Sequence, residues 1–204
     1  MATTLLHVDC SPMGETSISR ALTREYARRW RGAHPQGRIV ARDLATTSIP
    51  PLDAVWIAAS YAPEAERSPA QHALLAQSTE LVAELVAADD VVIGMPMHNW
   101  GPPATMKLWA DQLVRFGVTI ASTPQGLRGM LGGKRVTCIV TAGRHFEAHA
   151  GRNHVGPWLR TFFGNLGAAV RIIFADGTAD VRHHRIERAE FLAPHVEAIA
   201  SLLA

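Results

Sequence analysis

Cysteine is scarce in this chain of 204 residues: Cys10 and Cys138 stand too far apart for a disulfide framework or a Cys-x-x-Cys redox pair. Lysine is scarcer than usual too, with Lys107 and Lys134 its sole occurrences, so the basic residues are otherwise arginine. We read that as compositional bias rather than function. No apolar run approaches the roughly 20 residues that span a bilayer. The first residues lack a basic segment followed by a stretch long enough for a secretory signal. The expectation is a cytoplasmic protein with no membrane partner. Excess charge of one sign is also missing, because Lys+Arg 20 against Asp+Glu 18 leaves a formal charge of +2. That excludes a nucleic-acid-coating surface, which concentrates like charge in runs. Finally, there is no Gly-x-Gly-x-x-Gly, so the usual dinucleotide fingerprint is absent.

Apolar residues, by contrast, make up 48% of the chain, enough to build a substantial core and to argue against disorder. Their pattern alternates in type. Leu5, Leu6 and Val8 form a short apolar run of the kind seen in buried strands. Residues 17–31 then read as a helix, with Ile18, Leu22, Tyr26 and Trp30 at helical spacing. A strand over 37–43 follows, then a long helix over 69–88 with Leu74, Leu81 and Leu85 inward, then a β-branched central strand over 90–94. Pro102 or Pro103 opens the next helix, expected to turn Met106, Trp109, Leu113 and Phe116 inward. A Gly-rich turn over 126–133 leads to a strand over 135–141. A helix over 158–166, a strand over 170–174 and a final helix over 185–203, bent near Pro194, complete the chain.

Five alternations of strand and helix predict a parallel sheet of five strands between two helical layers, a three-layer α/β sandwich. No repeat or linker divides the chain, so residues 1–204 read as one domain. The segment 46–68, rich in proline, reads as a surface excursion with a short helix over 54–59.

Ligands bind outside the carboxyl ends of strands in such sheets, and three strand-end loops carry suitable residues. Residues 9–20 place Ser11, Thr16, Ser17 and Ser19 near a helix N-terminus, where unpaired amides and hydroxyls can solvate a phosphate. Plain capping by Thr16 or Ser17 is the other reading of the same residues. Residues 95–103 carry Met97, His98, Asn99 and Trp100 on a stiff Pro/Gly loop suited to a flat heterocycle, although Trp100 could equally plug the core. Residues 141–145, with Thr141, Ala142, Gly143 and Arg144, form a small-residue turn that lets backbone approach a ligand.

The combination Ser11-Pro12 with Ser17-Ile18-Ser19-Arg20, the run Pro96-Met97-His98-Asn99-Trp100, and Lys107, Asp111 and Arg115-Phe116-Gly117-Val118-Thr119 resembles the FMN-dependent NADH-azoreductases. That family is related to the NAD(P)H:quinone oxidoreductases of flavodoxin-like fold. The resemblance runs from about residue 3 to near the C-terminus. It implies that Ser11, Ser17, Ile18 and Ser19 hold the FMN phosphate, that Met97, His98, Asn99 and Trp100 line the isoalloxazine, and that Thr141, Ala142, Gly143 and Arg144 close around its other edge. It further implies NADH or NADPH as electron donor, a quinone or azo compound as small aromatic acceptor, and ping-pong transfer of two electrons through the flavin. A homodimer with both active sites at its interface is implied as well. No side chain acts as nucleophile; His98 and Asn99 are the groups implied beside the reacting flavin atom.

The chain departs from the family pattern in places. His98 stands where many relatives have Tyr, and Arg144 where they have a second Gly. Ile120, Ser122 and Asn165 occupy positions that are commonly aromatic around the acceptor. The excess length over a minimal sheet, in segments such as 46–68, is expected at the dimer interface and over the flavin. Other constellations carry less. Lys107, Asp111 and Arg115 at i, i+4 and i+8 read as a surface ion-pair ladder. His145, His149, His154, His183, His184 and Glu147 lack metal-ligand spacing. Cys10 reads as a small buried strand-end residue. Two other functions remain open on sequence: a non-catalytic flavodoxin-like electron carrier or partner-binding module, and a phosphoester hydrolase, the latter lacking a paired acid and base.

Overall fold

A computed structural model describes residues 3–145 and 151–203. Five strands, β1 (Thr4–Asp9), β2 (Arg38–Asp43), β3 (Asp90–Pro96), β6 (Arg135–Ala142) and β7 (Ala169–Asp176), pair in parallel in the order β2-β1-β3-β6-β7. A separate antiparallel hairpin joins β4 (Ile120–Thr123) to β5 (Gly126–Gly129). The helices among the described residues are α1 (Ile18–Ala33), α2 (Ala54–Tyr61), α3 (Pro69–Ala87), α4 (Ala104–Leu113), α5 (Val155–Asn165), α6 (Thr178–Arg182) and α7 (Arg188–Leu203).

Strand side chains alternate between faces, and the two cores follow that alternation. Leu5, Val92 and Ile139 pack with Leu22, Trp30, Phe191 and Ile199 of α1 and α7. Leu6, Val8, Val91, Ile93 and Val140 pack on the other side with Leu81 and Leu85 of α3, Met106 and Trp109 of α4, and Leu159 and Phe163 of α5. The chain steps from β1 outward to β2 and then back across β1 to β3. This reversal of winding makes the carboxyl ends of β1 and β3 the switch point where an open α/β sheet offers a crevice.

Several sequence expectations need correction. Leu74 is exposed, and Leu75 takes the inward position, so the apolar stripe of α3 runs through Leu75, Leu81, Val82 and Leu85. The turn expected over 126–133 is partly the strand β5. Its Gly129 lies so close to residues 166 and 167 that an added Cβ would stand 2.1 Å from the Leu166 carbonyl carbon. Phe116 does not face inward, because α4 ends at Leu113. The Thr119 hydroxyl accepts the Arg115 amide at 2.8 Å and donates to the Leu113 carbonyl at 2.6 Å, and Gly117 turns the chain at φ +77. The ion-pair ladder accordingly stops after Lys107 and Asp111, which do pair, while Arg115 folds inward. Pro194 sits within an unbroken α7.

Gly94 on β3 sets how closely α1 approaches the sheet. A Cβ there would stand 2.6 Å from Thr23 Cγ2 and 3.0 Å from Asp9 Oδ1. Gly94→Ala should therefore cost about 1–3 kcal/mol of stability through overpacking. Gly32→Ala, in open space on the same helix, should gain about 0.5–1 kcal/mol. Urea denaturation of the two variants measures both, and a neutral Gly94→Ala would contradict the close approach.

Candidate functional site

The loop after β1 contains a short 3-10 turn, Gly14–Thr16, before α1 begins. Ser17 is the N-cap, its hydroxyl accepting the Arg20 amide at 3.3 Å, and it also lies 3.1 Å from the Ser19 hydroxyl. The capping reading thus holds for Ser17, whereas Thr16 donates to the Met13 carbonyl instead. Ser11, Ser17 and Ser19 are all buried. Ile18 sends its side chain into the core beside α1 and α7, leaving its amide as its polar contribution. The amides of Ile18 and Ser19 lie in the first turn, where no helical carbonyl can reach them.

Arginines occupy the carbonyls of this loop. Arg20 Nε donates to the Ser11 carbonyl at 2.8 Å and its terminal nitrogens meet Asp43 at 2.6 Å and Asp9 at 3.5 Å. Arg188 donates to the carbonyls of Glu15 and Ser17 at 3.1–3.2 Å. The carboxylates are likewise engaged, Glu15 by Arg24 and Asp9 by Thr23 and His7. The Ser11 hydroxyl accepts the Met13 amide and has no protein acceptor among the described residues. What remains is a set of donors, namely hydroxyls and first-turn amides, with the loop's acceptors already used. That donor set fits a phosphate dianion.

The second loop is a tight turn closed by reciprocal bonds between His98 and Gly101, both 3.0 Å. Asn99 and Trp100 at its centre have φ of 48 and 70. Two positive values in sequence make this the mirror-image turn that normally takes Asn-Gly. For a tryptophan the left-handed region is strained by about 1–3 kcal/mol, and such strain persists at ligand sites. The indole is exposed rather than plugging the core, and Arg152 stacks over it at 5.2 Å. The third loop is bound to the second through the Met97 amide and the Thr141 carbonyl at 2.7 Å.

Between them lies a cleft of about 310 Å³ lined by Met97, Asn99, Trp100, Ala142, Gly143 and Arg144, joined by His145 and Arg182. The structure brings these sequence-selected residues together. It leaves His98 exposed outside the lining and Thr141 buried behind it. His145 and Arg182 were not selected from sequence for this cleft. His145 ends the third loop itself, whereas Arg182 arrives on α6, an element the sequence pattern did not suggest, which docks on that loop: Ala179 N donates to the Gly143 carbonyl at 3.0 Å and Thr178 Oγ1 to the Ala142 carbonyl at 3.1 Å. The signal available was Gly177-Thr178-Ala179-Asp180, a glycine at φ +85 followed by an acidic first turn.

Other expected features fall elsewhere. Ile120 and Asn165 meet in a different hollow of about 430 Å³ with Trp158 and Phe162, and Ser122 is not among its walls. No residue of 46–68 lines the cleft; this segment packs on α3 through Trp56, Ala59 and Leu75, so it does not lie over the candidate ring site in this chain. His145 turns to Asp176 and Asp180 at 3.3 and 3.7 Å. Among the described residues no three metal-binding side chains converge, and Glu147 and His149 lie outside the described residues. Cys10 is buried, and burial pushes its thiol up.

A parallel sheet with a donor-lined helix start and an aromatic cleft on one rim defines a flavodoxin-like protein. A family profile described as flavodoxin-like fold matches residues 3–200. The chain is 52% identical to FMN-dependent NADH:quinone oxidoreductase 3 of Burkholderia lata, over 98% of this chain and 99% of that protein. It is 40% identical to FMN-dependent NADH:quinone oxidoreductase of Acidobacterium capsulatum, over 96% and 97%. In fold it is similar to an azoreductase (TM-score 0.87, 22% identity, 98% of this chain and 99% of that one). It is similar too to an FMN-dependent NADH-azoreductase from Bacillus anthracis solved with FMN (TM-score 0.85, 19% identity, 98% of each chain). The chain belongs to the flavodoxin-like fold family and, within it, to the group of FMN-dependent NADH:quinone oxidoreductases.

Two outcomes follow for the phosphate loop. Ser17→Ala combined with Ser19→Ala should weaken FMN binding by roughly tenfold or more, since charge-assisted hydrogen bonds are lost, while Lys107→Ala should change it little. Fluorescence titration with FMN compares them, and equal effects would place the phosphate elsewhere. The second outcome concerns Asp9, whose carboxyl sits below its ordinary 3.8. Burial opposes ionisation there, but the hydrogen bond and charge of His7, the Thr23 hydroxyl and Arg20 outweigh it. A carboxyl depressed in the folded state adds stability that is complete above its unfolded value and lost as pH falls through its folded value. Thermal stability should therefore hold from neutral down to about pH 4 and fall below it, with Asp9→Asn showing a flatter acid limb.

Proposed function

We propose that this protein is an FMN-dependent NAD(P)H oxidoreductase that reduces quinones, and aromatic azo compounds where they fit. The observation that carries the reading is the single rim on which β1, β3 and β6 present a phosphate-type donor set beside a cleft with a strained, exposed tryptophan. It is supported by the 52% identical relative named for FMN-dependent NADH:quinone oxidoreduction. When bound, FMN supplies the hydride-accepting and two-electron-donating chemistry, which is the cofactor's own.

The residues present fit that group. Ser11, Ser17 and Ser19 with the amides of Ile18 and Ser19 would hold the phosphate. Met97, Asn99 and Trp100 would pack on the ring, and Ala142 and Gly143 would offer backbone at its edge. Arg144 sets a positive charge at the mouth of the cleft, which favours gain of electrons inside it. His98, exposed beside the turn, is in place to meet an incoming acceptor rather than the buried cofactor. We take residues 1–204 as a single FMN-binding domain in a cytoplasmic enzyme, with NADH or NADPH as donor.

A homodimer is part of this proposal. Ile120 and Asn165, which the resemblance assigns to the acceptor pocket, lie in a hollow that shares no residue with the cleft. A second copy is the economical way to bring the two halves of an acceptor site together.

The test is direct. The purified protein should show flavin absorbance near about 450 nm, or gain it with added FMN, and should oxidise NADH with a small benzoquinone and no protein partner. A protein that takes up no FMN overturns the reading; FMN uptake without NADH oxidation would favour the electron-carrier alternative. Arg144→Gln should lower kcat by about five- to tenfold, less than for a fully buried donor because the guanidinium is exposed. Stopped-flow reduction by NADH reads that effect apart from quinone binding.

A further inference from the structure

The arginine that closes the phosphate-type loop comes from the other end of the chain. Arg188 is the first residue of α7, which packs against α1 through Leu22 and Phe191. Its Nη1 and Nη2 donate to the Glu15 carbonyl at 3.2 and 3.1 Å, and Nη2 also donates to the Ser17 carbonyl at 3.2 Å. The neighbouring carbonyls are used within the turn itself: Met13 accepts the Thr16 amide and Gly14 the Ser17 amide, both at 3.2 Å. A cation in the first turn of a helix opposes the helix dipole, so α7 does not itself favour an arginine at this position. The contacts of Arg188 lie on the loop instead.

The Ser17 carbonyl belongs to the same peptide unit as the Ile18 amide, and in a planar trans peptide the two point in opposite directions. Holding this carbonyl therefore fixes the direction of an amide that no helical carbonyl can reach. Hydrogen bonds in series also polarise one another, so a cation on the carbonyl makes that N–H a stronger donor.

Charge matters as much as direction. Around the loop, Arg20 meets the carboxylates of Asp9 and Asp43, and Arg24 meets that of Glu15. With histidine neutral, those arginines leave one carboxylate in excess, and a phosphate dianion would approach a net negative loop. Arg188 removes that excess. It meets carbonyls alone, with no carboxylate in ion-pairing distance among the described residues. It is also half-buried, where salt screens a charge less than at the exposed pair of Arg24 and Glu15.

We propose that Arg188 is a positioning residue for the phosphate of FMN. It clamps and polarises the Ser17–Ile18 peptide and balances the charge of the loop, so that the C-terminal helix sets how strongly the chain prefers FMN to riboflavin. This role rests on the flavin reading above and adds to it a residue 171 positions from the Ser17 it holds.

Fluorescence titration with FMN and with riboflavin, which has the ring and no phosphate, tests it. Arg188→Gln should weaken FMN by roughly tenfold or more and riboflavin by less than about twofold. Arg188→Lys, which keeps a point charge without the fork of donors, should recover part of the FMN affinity. Arg24→Gln, removing the exposed partner of Glu15, should weaken FMN by less than about threefold. Added NaCl should weaken FMN binding to the native protein more steeply than to Arg188→Gln. Equal losses of FMN and riboflavin in Arg188→Gln overturn the proposal, because Arg188 would then only hold the fold. So does an FMN affinity that Arg188→Gln leaves unchanged. A loss in Arg24→Gln as large as in Arg188→Gln overturns it too, since any nearby charge would then serve. Native protein that binds neither flavin overturns the flavin reading itself, and this role with it.

Discussion

The close approach of α1 to β3 at Gly94 is the constraint on which the candidate site rests. Without a side chain at that position, Thr23 and Asp9 come together, the Thr23 hydroxyl reaching the Asp9 carboxylate at 2.8 Å. Asp9 in turn faces Arg20, which holds the Ser11 carbonyl and Asp43. One missing methyl therefore lets a helix start settle against the carboxyl ends of two strands, with its first-turn amides and the hydroxyls of Ser17 and Ser19 at the rim. Coupling of this kind is a packing matter first and an electrostatic one second, because interiors at crystal-like density leave no slack for a displaced helix.

The electrostatics then divide labour cleanly. Arginines take the carbonyls and carboxylates around the phosphate-type loop, so its donors are left for a ligand. At the ring cleft the arginines, Arg144 and Arg182 in the lining and Arg152 over Trp100, lie exposed. Beneath α3, Arg115 is buried and donates to the Ser78 hydroxyl at 2.9 Å. In each place a planar fork of donors can satisfy two acceptors, where an ammonium would give a point charge.

Much of this was legible beforehand, for reasons that particular elements make plain. The β-branched run 90–94 could be little other than a central strand, and Ile18, Leu22, Tyr26 and Trp30 could face inward only on a helix. The hairpin β4-β5 was not legible, since Gly126-Leu127-Arg128-Gly129 has neither alternation nor β-branching, and its pairing depends on Gly129 seating against residues 166 and 167. The phase error between Leu74 and Leu75 came from two adjacent leucines that fit the same stripe. Phe116 and Arg115 exchanged their expected places because a threonine six residues beyond Leu113 capped α4 early.

From composition and local pattern alone came the parallel sheet, its helical layers and the three loops at its rim, since strand and helix periodicities and turn chemistry are short-range properties. Scarcity of cysteine, lysine and long apolar runs narrowed the class further. Tertiary structure alone decided which members of those loops share a cleft, why His98 stands outside it, how α6 delivers Arg182 beside His145, and that Arg115 is buried. Each of these depends on contacts between residues tens of positions apart, where packing and desolvation, rather than any local preference, select the arrangement.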